Sequence, residues 1–120
     1  MPRILFVDDN QEFLGVVSPV LNQVGYDVVT ANNGTEAIDS FRKSSFDAVV
    51  TDLMMPDISG YELVKYIRET SNGSMPIIIA ITGTSWDVDA THFDLVLEKP
   101  FSIKKLISCL KDFESKRTTS

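Results

Sequence analysis

Five short apolar runs alternate with segments patterned as helices, and that alternation limits the fold more than any other feature of the chain. The runs are residues 4–7, 26–31, 48–51, 77–82 and 95–97. The first, third and fourth are continuously apolar, the pattern of strands covered on both faces. Residues 11–24 put Leu14, Val17, Leu21 and Val24 on one helical face, with Pro19 expected to kink or weaken that helix. Residues 35–44 form a short amphipathic segment around Ala37, Ile38 and Phe41, and residues 60–70 carry Leu63, Val64 and Ile67. Ser102 stands where it can cap a last helix with an apolar stripe of Ile103, Leu106, Ile107, Leu110 and Phe113. Residues 85–93 have room for about two turns of helix.

Strands alternating with helices imply a three-layer α/β domain, and right-handed crossovers leave few topologies open. Five strands favour a parallel sheet in the flavodoxin-like order 2-1-3-4-5, with a ligand crevice at the carboxyl ends of strands 1 and 3. With 120 residues, one domain over residues 1–120 is expected, its core at about residues 3–115. From Glu114 onward the residues turn polar and small, a short polar tail that reads as a helix end, a frayed end or the start of a linker.

The formal net charge of −6 argues against nonspecific nucleic-acid binding through a basic patch. No apolar run approaches the ~20 residues of a membrane span, and the first residues turn acidic too soon for a signal peptide. Cys109 is the single cysteine, so no internal disulfide is possible. A reducing, cytoplasmic setting is the simplest expectation. Cys109 itself reads as a small packing residue in a helix.

The polar residues at the strand ends are the unusual part. Strand 1 runs into Asp8 and Asp9, strand 3 into Asp52, strand 4 ends at Thr82 and strand 5 runs into Lys99. In a parallel sheet these ends share one edge, and the order 2-1-3-4-5 sets strands 1, 3, 4 and 5 side by side. Strand 2 lies outside and ends in Asn32 and Asn33, which look like turn residues. Three carboxylates in one crevice repel, so at least one should have a raised pKa unless a hard divalent cation joins them. Lys99 adds a mobile positive charge, Thr82 a hydroxyl, and Gly83 leaves space beside it. An aspartate nucleophile, a metal, a lysine and a hydroxyl are the parts needed to form an aspartyl-phosphate. Each residue also has an ordinary explanation. The acid pair can cap a helix, with Asp9 or Asn10 as the cap. Asp52 and Lys99 can be loop residues, and Thr82 a plain strand residue. Four such explanations at four strand ends are less economical than one shared site.

The segments Phe6-Val7-Asp8-Asp9-Asn10, Asp52-Leu53-Met54-Met55-Pro56-Asp57 with Gly60, Thr82-Gly83 and Lys99-Pro100-Phe101 occur in this order. In that combination nearly the whole chain resembles the receiver domains of two-component response regulators. The resemblance implies that Asp52 is the phosphoacceptor. It implies that Asp9 and Asp52 bind Mg2+ through side chains, Asp8 chiefly through water, and Met54 through its backbone carbonyl, with Mn2+ able to substitute. Thr82 would hydrogen-bond the phosphoryl group and move on activation, and Lys99 would contact it from the other side. The Lys99–Pro100 bond would be cis, and Met55, Pro56 and Gly60 would shape the loop after strand 3. The donor would be a phosphohistidine on a sensor histidine kinase or histidine phosphotransfer domain, and the phosphorylated form would act on a downstream protein or output domain. Such a domain signals and catalyses only its own phosphorylation and dephosphorylation, with no direct nucleic-acid or membrane contact.

Two departures stand out. Thr82 and Lys99 are 17 residues apart, shorter than usual in the family, so the helix between strands 4 and 5 should be shortened or distorted. Three residues before Lys99, where an aromatic switch residue is common, stands Val96. Phe93 or Trp86 could take that role or could pack over the short loop, and Thr84 and Met54 flank the site and would tune hydrolysis. His92, the single histidine, reads as a surface or packing residue. Other classes remain open on the residues: a flavin or nucleotide binder, a small aspartate-nucleophile phosphatase, and a receiver that signals by binding alone. Asp8 and Asp9 would repel the bare phosphate of the first, and the chain has no evident residues to close over the substrate of the second.

Overall fold

The computed structural model describes residues 2–71, 75–83 and 88–118. The chain runs β1 (Arg3–Val7), α1 (Gln11–Gln23), β2 (Asp27–Ala31), α2 (Gly34–Lys43), β3 (Ala48–Asp52), α3 (Gly60–Thr70), β4 (Ile77–Thr82), a 3-10 turn (Ala90–His92), β5 (Leu95–Glu98) and α4 (Ile103–Thr118). The strands form one parallel sheet in the order β2-β1-β3-β4-β5.

Because side chains alternate along a strand, the apolar runs split between two cores. Ile4, Phe6, Val50, Ile79 and Ile81 face Leu14, Val17 and Leu21 of α1 and Leu106 and Leu110 of α4. Leu5, Val7, Val49, Ile78 and Ala80 face Ala37 of α2 and Leu63, Val64 and Ile67 of α3. The continuous runs are therefore the three central strands, and burying each such side chain stabilises by about 1.5–3 kcal/mol. Short polar side chains start the helices. Asn10 accepts from the Phe13 N–H at 3.1 Å, Asn33 from Glu36 at 2.8 Å, Ser59 from Glu62 at 3.2 Å and Ser102 from Lys105 at 3.0 Å. The expected cap at Ser102 is present, and of Asp9 and Asn10 it is Asn10 that caps α1.

One expectation needs correction. Val24 does not belong to the buried face of α1: the helix ends at Gln23 and Val24 is 37% exposed. Gly25 turns the chain there at φ 102°, a left-handed conformation that costs glycine little, and Tyr26 is buried instead. α1 continues through Pro19. Of the readings open for the polar residues from Glu114, the helix end is the one present. α4 continues to Thr118, and the Tyr26 hydroxyl donates to Glu114 Oε2 at 3.1 Å, tying this end of the helix to the body.

Between β4 and β5 the described residues hold a single 3-10 turn where a longer helix would be usual for a crossover. Trp86 and Thr84 lie outside the described residues. Phe93 is buried in the core beneath α3, which favours its packing role. Tyr61 of α3 covers it, with ring centres 5.4 Å apart, and its hydroxyl accepts from the Asp89 N–H at 3.3 Å. The half-exposed His92 packs edge-on to Tyr61 and lies 3.3 Å from Asp89, consistent with a surface and packing residue. Among the described residues no helix is long and apolar enough to cross a membrane.

Candidate functional site

β1, β3, β4 and β5 end on one edge of the sheet, and each delivers one polar group there. Asp8 follows β1 directly and its N–H donates to Ala31 O at 3.1 Å, so the backbone pairing of β1 with β2 continues into the acid pair. Asp8 is fully buried. Its Oδ1 accepts from the Asn10 N–H at 2.9 Å, whereas its Oδ2 is buried with no hydrogen-bond partner among the described residues. Asp52 is the last residue of β3 and almost fully buried, and its Oδ1 accepts from the Met54 N–H at 3.1 Å. Lys99 Nζ lies 3.3 Å from Asp52 Oδ2 and 3.5 Å from Asp8 Oδ2. Asp9 is exposed at the mouth, and Asp8, Asp9 and Asp52 each offer a carboxylate oxygen within 4.8 Å of the others.

Register places the remaining parts. Asp52 pairs with Ile81, so Thr82 stands one residue beyond it on the adjacent strand, buried. Thr82 O accepts from the Lys99 N–H at 2.7 Å, which fixes the start of the loop that carries the lysine. The Lys99–Pro100 bond is cis, as the resemblance implied. The Lys99 stem passes over Phe13, with Nζ 5.9 Å from the ring centre, and Phe13 packs edge-on against Phe101. The loop after β3 closes on itself through Gly60 N–H to Leu53 O at 3.1 Å. A side chain at Gly60 would put its Cβ 2.7 Å from Asp52 O, so glycine is required for this approach. Met54 is 77% exposed, and its backbone N–H is the group engaged with Asp52.

The electrostatics follow from this packing. Burial pushes the Asp8 carboxyl above its ordinary pKa, with Asp52 and Asp9 adding to the effect. The Asn10 N–H and Lys99 oppose it but do not cancel it. Burial acts against the charge of Lys99, but Asp52 and Asp8 outweigh it and hold the lysine above its ordinary value. An oxygen-only donor set, with one buried carboxylate oxygen lacking a partner, fits a hard divalent cation such as Mg2+. An ammonium at 3.5 Å attracts that oxygen but makes no hydrogen bond to it.

All the residues singled out in the sequence at strand ends meet at this edge. Two residues near the site make contacts that the sequence does not announce. Phe13 lies under Lys99, and its signal was only one apolar position in the first turn of α1. Asp57 was read as part of the loop motif alone. Its Oδ1 accepts from Gly34 N–H at 3.1 Å, and its Oδ2 from Thr35 N–H at 3.0 Å and the Thr35 hydroxyl at 2.6 Å. No local spacing announces a partner more than twenty residues away.

A doubly wound parallel sheet with an acid pair, a third acid and a lysine converging at its carboxyl edge defines a phospho-receiver fold. The family model of the response regulator receiver domain matches residues 4–111, and the chain belongs to that family. It is 37% identical over 116 residues to the transcriptional regulatory protein CpxR homolog of Haemophilus influenzae, covering 92% of this chain and 49% of that protein. The chain thus spans about half the length of the curated relatives it matches. The structure of chemotaxis response regulator CheY4 of Vibrio cholerae superposes with a TM-score of 0.84 at 32% identity, over 93% of this chain and 98% of that one. Response regulator TrrA of Thermotoga maritima, solved in complex with Mg(2+)-BeF, superposes with a TM-score of 0.82 at 33% identity and the same coverage.

Proposed function

We propose that residues 1–120 act as one receiver domain in which Asp52 accepts a phosphoryl group from a phosphohistidine. The observation that carries this reading is the placement of Lys99 Nζ between Asp52 and the buried Asp8, with Asp9 beside them. Asp52 sits at a fixed strand end, one oxygen held by Met54 N–H, so its direction of attack is set before a donor arrives. A carboxylate oxygen of Asp52 attacks phosphorus in line. The bond from phosphorus to the donor's imidazole nitrogen breaks, and its electron pair leaves with the imidazole. Lys99, already poised at the carboxylate, moves its charge onto a phosphoryl oxygen. The Thr82 hydroxyl, one residue beyond the partner of Asp52, donates to another.

Asp9 and Asp52 side chains, Asp8 through water, and the Met54 carbonyl would hold Mg2+, with Mn2+ accepted by the same oxygen donors. When bound, the cation supplies positive charge to the phosphoryl oxygens. The Mg(2+)-BeF complex of TrrA supports the same use of this chain's acidic cluster.

The domain works in signalling and performs only its own phosphorylation and dephosphorylation. Its donor is a sensor histidine kinase or a histidine phosphotransfer domain in the cytoplasm, and its output is a downstream protein or domain. Phosphorylation shifts the population between two conformations because the new group contacts them unequally. The test is incubation with a small-molecule phosphoryl donor and Mg2+, followed by intact-mass measurement. One added phosphoryl group is expected on the wild type and none on Asp52→Asn. An unmodified wild type, or equal labelling of the variant, overturns the reading.

A further inference from the structure

We infer that Asp57 is a positioning residue for the metal site, latching the loop that carries Met54 to the start of α2. This rests on the phosphoacceptor reading, in which the Met54 carbonyl is a ligand. The loop between β3 and α3 is pinned at both ends. Met54 N–H donates to Asp52 at one end, and Gly60 N–H closes back on Leu53 O at the other. Between these points the tip reaches the body through Asp57, whose two oxygens receive Gly34 N–H, Thr35 N–H and the Thr35 hydroxyl.

The latch is matched on both sides. Gly34 and Thr35 open α2, where the first N–H groups lack partners within the helix and the helix dipole favours an anion. Asn33 satisfies the Glu36 N–H from its own side chain, and Asp57 takes the two before it. Ile58 then packs on Gly34 so closely that a side chain there would place its Cβ 2.6 Å from Ile58 Cβ. The Thr35 hydroxyl, followed by the Ile58 N–H, holds the Asp57 carboxyl well below the usual carboxylate range; burial opposes this, and the Thr35 and Gly34 N–H groups add to the lowering. A ligand carbonyl on an irregular loop must otherwise be ordered by the metal itself, at a cost in affinity. With the tip tied to α2, the Met54 peptide is oriented beforehand.

The experiment is calorimetric titration of MgCl2 at constant ionic strength into wild type, Asp57→Ala, Asp57→Asn and Asp47→Ala, with melting curves in EDTA for each. Asp47 is the control, because it too accepts from a backbone N–H, that of Arg3 at 2.8 Å, at the opposite edge of the sheet. Asp57→Ala should weaken Mg2+ binding on the order of tenfold. Asp57→Asn, which keeps one acceptor, should fall between it and wild type, and Asp47→Ala should bind as wild type does even where it melts earlier. Asp57→Asn carries the test if Asp57→Ala does not fold. Unchanged Mg2+ affinity in both Asp57 variants, or an equal loss in Asp47→Ala, overturns the latch while leaving the phosphoacceptor reading intact. A wild type that binds no Mg2+ overturns both.

Discussion

The same substitution, glycine to alanine, should have opposite effects at two positions of this chain. At Gly60 the new Cβ would lie 2.7 Å from Asp52 O, 2.8 Å from Leu53 Cα and 2.8 Å from Leu53 Cδ2. Two of these are backbone atoms at the end of a central strand, so relief requires moving β3 or α3. Overpacking of this kind costs about 1–3 kcal/mol. Removing glycine's freedom in the unfolded chain returns about 0.4–1 kcal/mol. The net expectation for Gly60→Ala is a loss on the order of 1–2 kcal/mol. Gly15 lies on the exposed side of α1, where an added Cβ would meet none of the described residues within 4 Å. There only the helix-propensity gain applies, and Gly15→Ala should stabilise by about 0.5–1 kcal/mol. Urea unfolding reads the difference directly. With a slope of about 1–3 kcal/mol/M for a small domain, the two midpoints should move apart by roughly 0.5–3 M, in opposite directions. Gly60→Ala should also weaken Mg2+ binding, because the carbonyl it displaces belongs to Asp52. A Gly60→Ala protein as stable as wild type, or a destabilised Gly15→Ala, would refute the packing argument.

Further outcomes follow from the charges. Asp8 has a raised pKa in the folded state, so the fold holds its proton more tightly than the unfolded chain does. In EDTA, wild-type stability should therefore fall as pH rises from about 4, the ordinary Asp value, through the higher folded one. Asp8→Asn should remove that slope and be the more stable protein at neutral pH without metal, measured by denaturation across pH. Saturating Mg2+ at 100 times its Kd should then stabilise wild type by about 2.7 kcal/mol and the variant by much less. Asp57 shows the opposite sign, because its folded pKa is depressed: its contribution is present above about 4 and lost as pH falls below that. Asp57→Asn should accordingly cost stability at neutral pH and converge with wild type in strong acid. Tyr26 is pushed up to about 12 by burial and by its bond to Glu114, so in a spectrophotometric titration it should ionise well above the ordinary tyrosine value of about 10. Tyr26→Phe should lower stability by about 0.5–1.5 kcal/mol, and an unchanged denaturation midpoint would show that the bond to Glu114 contributes nothing.

The architecture was legible in the sequence because each of its determinants is local. Continuous apolar runs mark the central strands, capping residues mark the helix starts, and the parallel order collects Asp8, Asp9, Asp52, Thr82 and Lys99 on one edge. The misread and open positions lie where a distant partner decides. Val24 carries the helical period but loses its place to Tyr26 once Gly25 turns the chain. Glu114 could end a helix or start a tail until the Tyr26 hydroxyl reaches it. Asp57 reads as one more loop acid until α2 is brought against it by the sheet. Chemistry carried by residue type and strand position was therefore present in the linear order. The orphaned oxygen of Asp8, the latch at Asp57 and the approach at Gly60 came into being only with the tertiary structure, because burial and hydrogen bonding depend on what the other segments of the chain bring alongside.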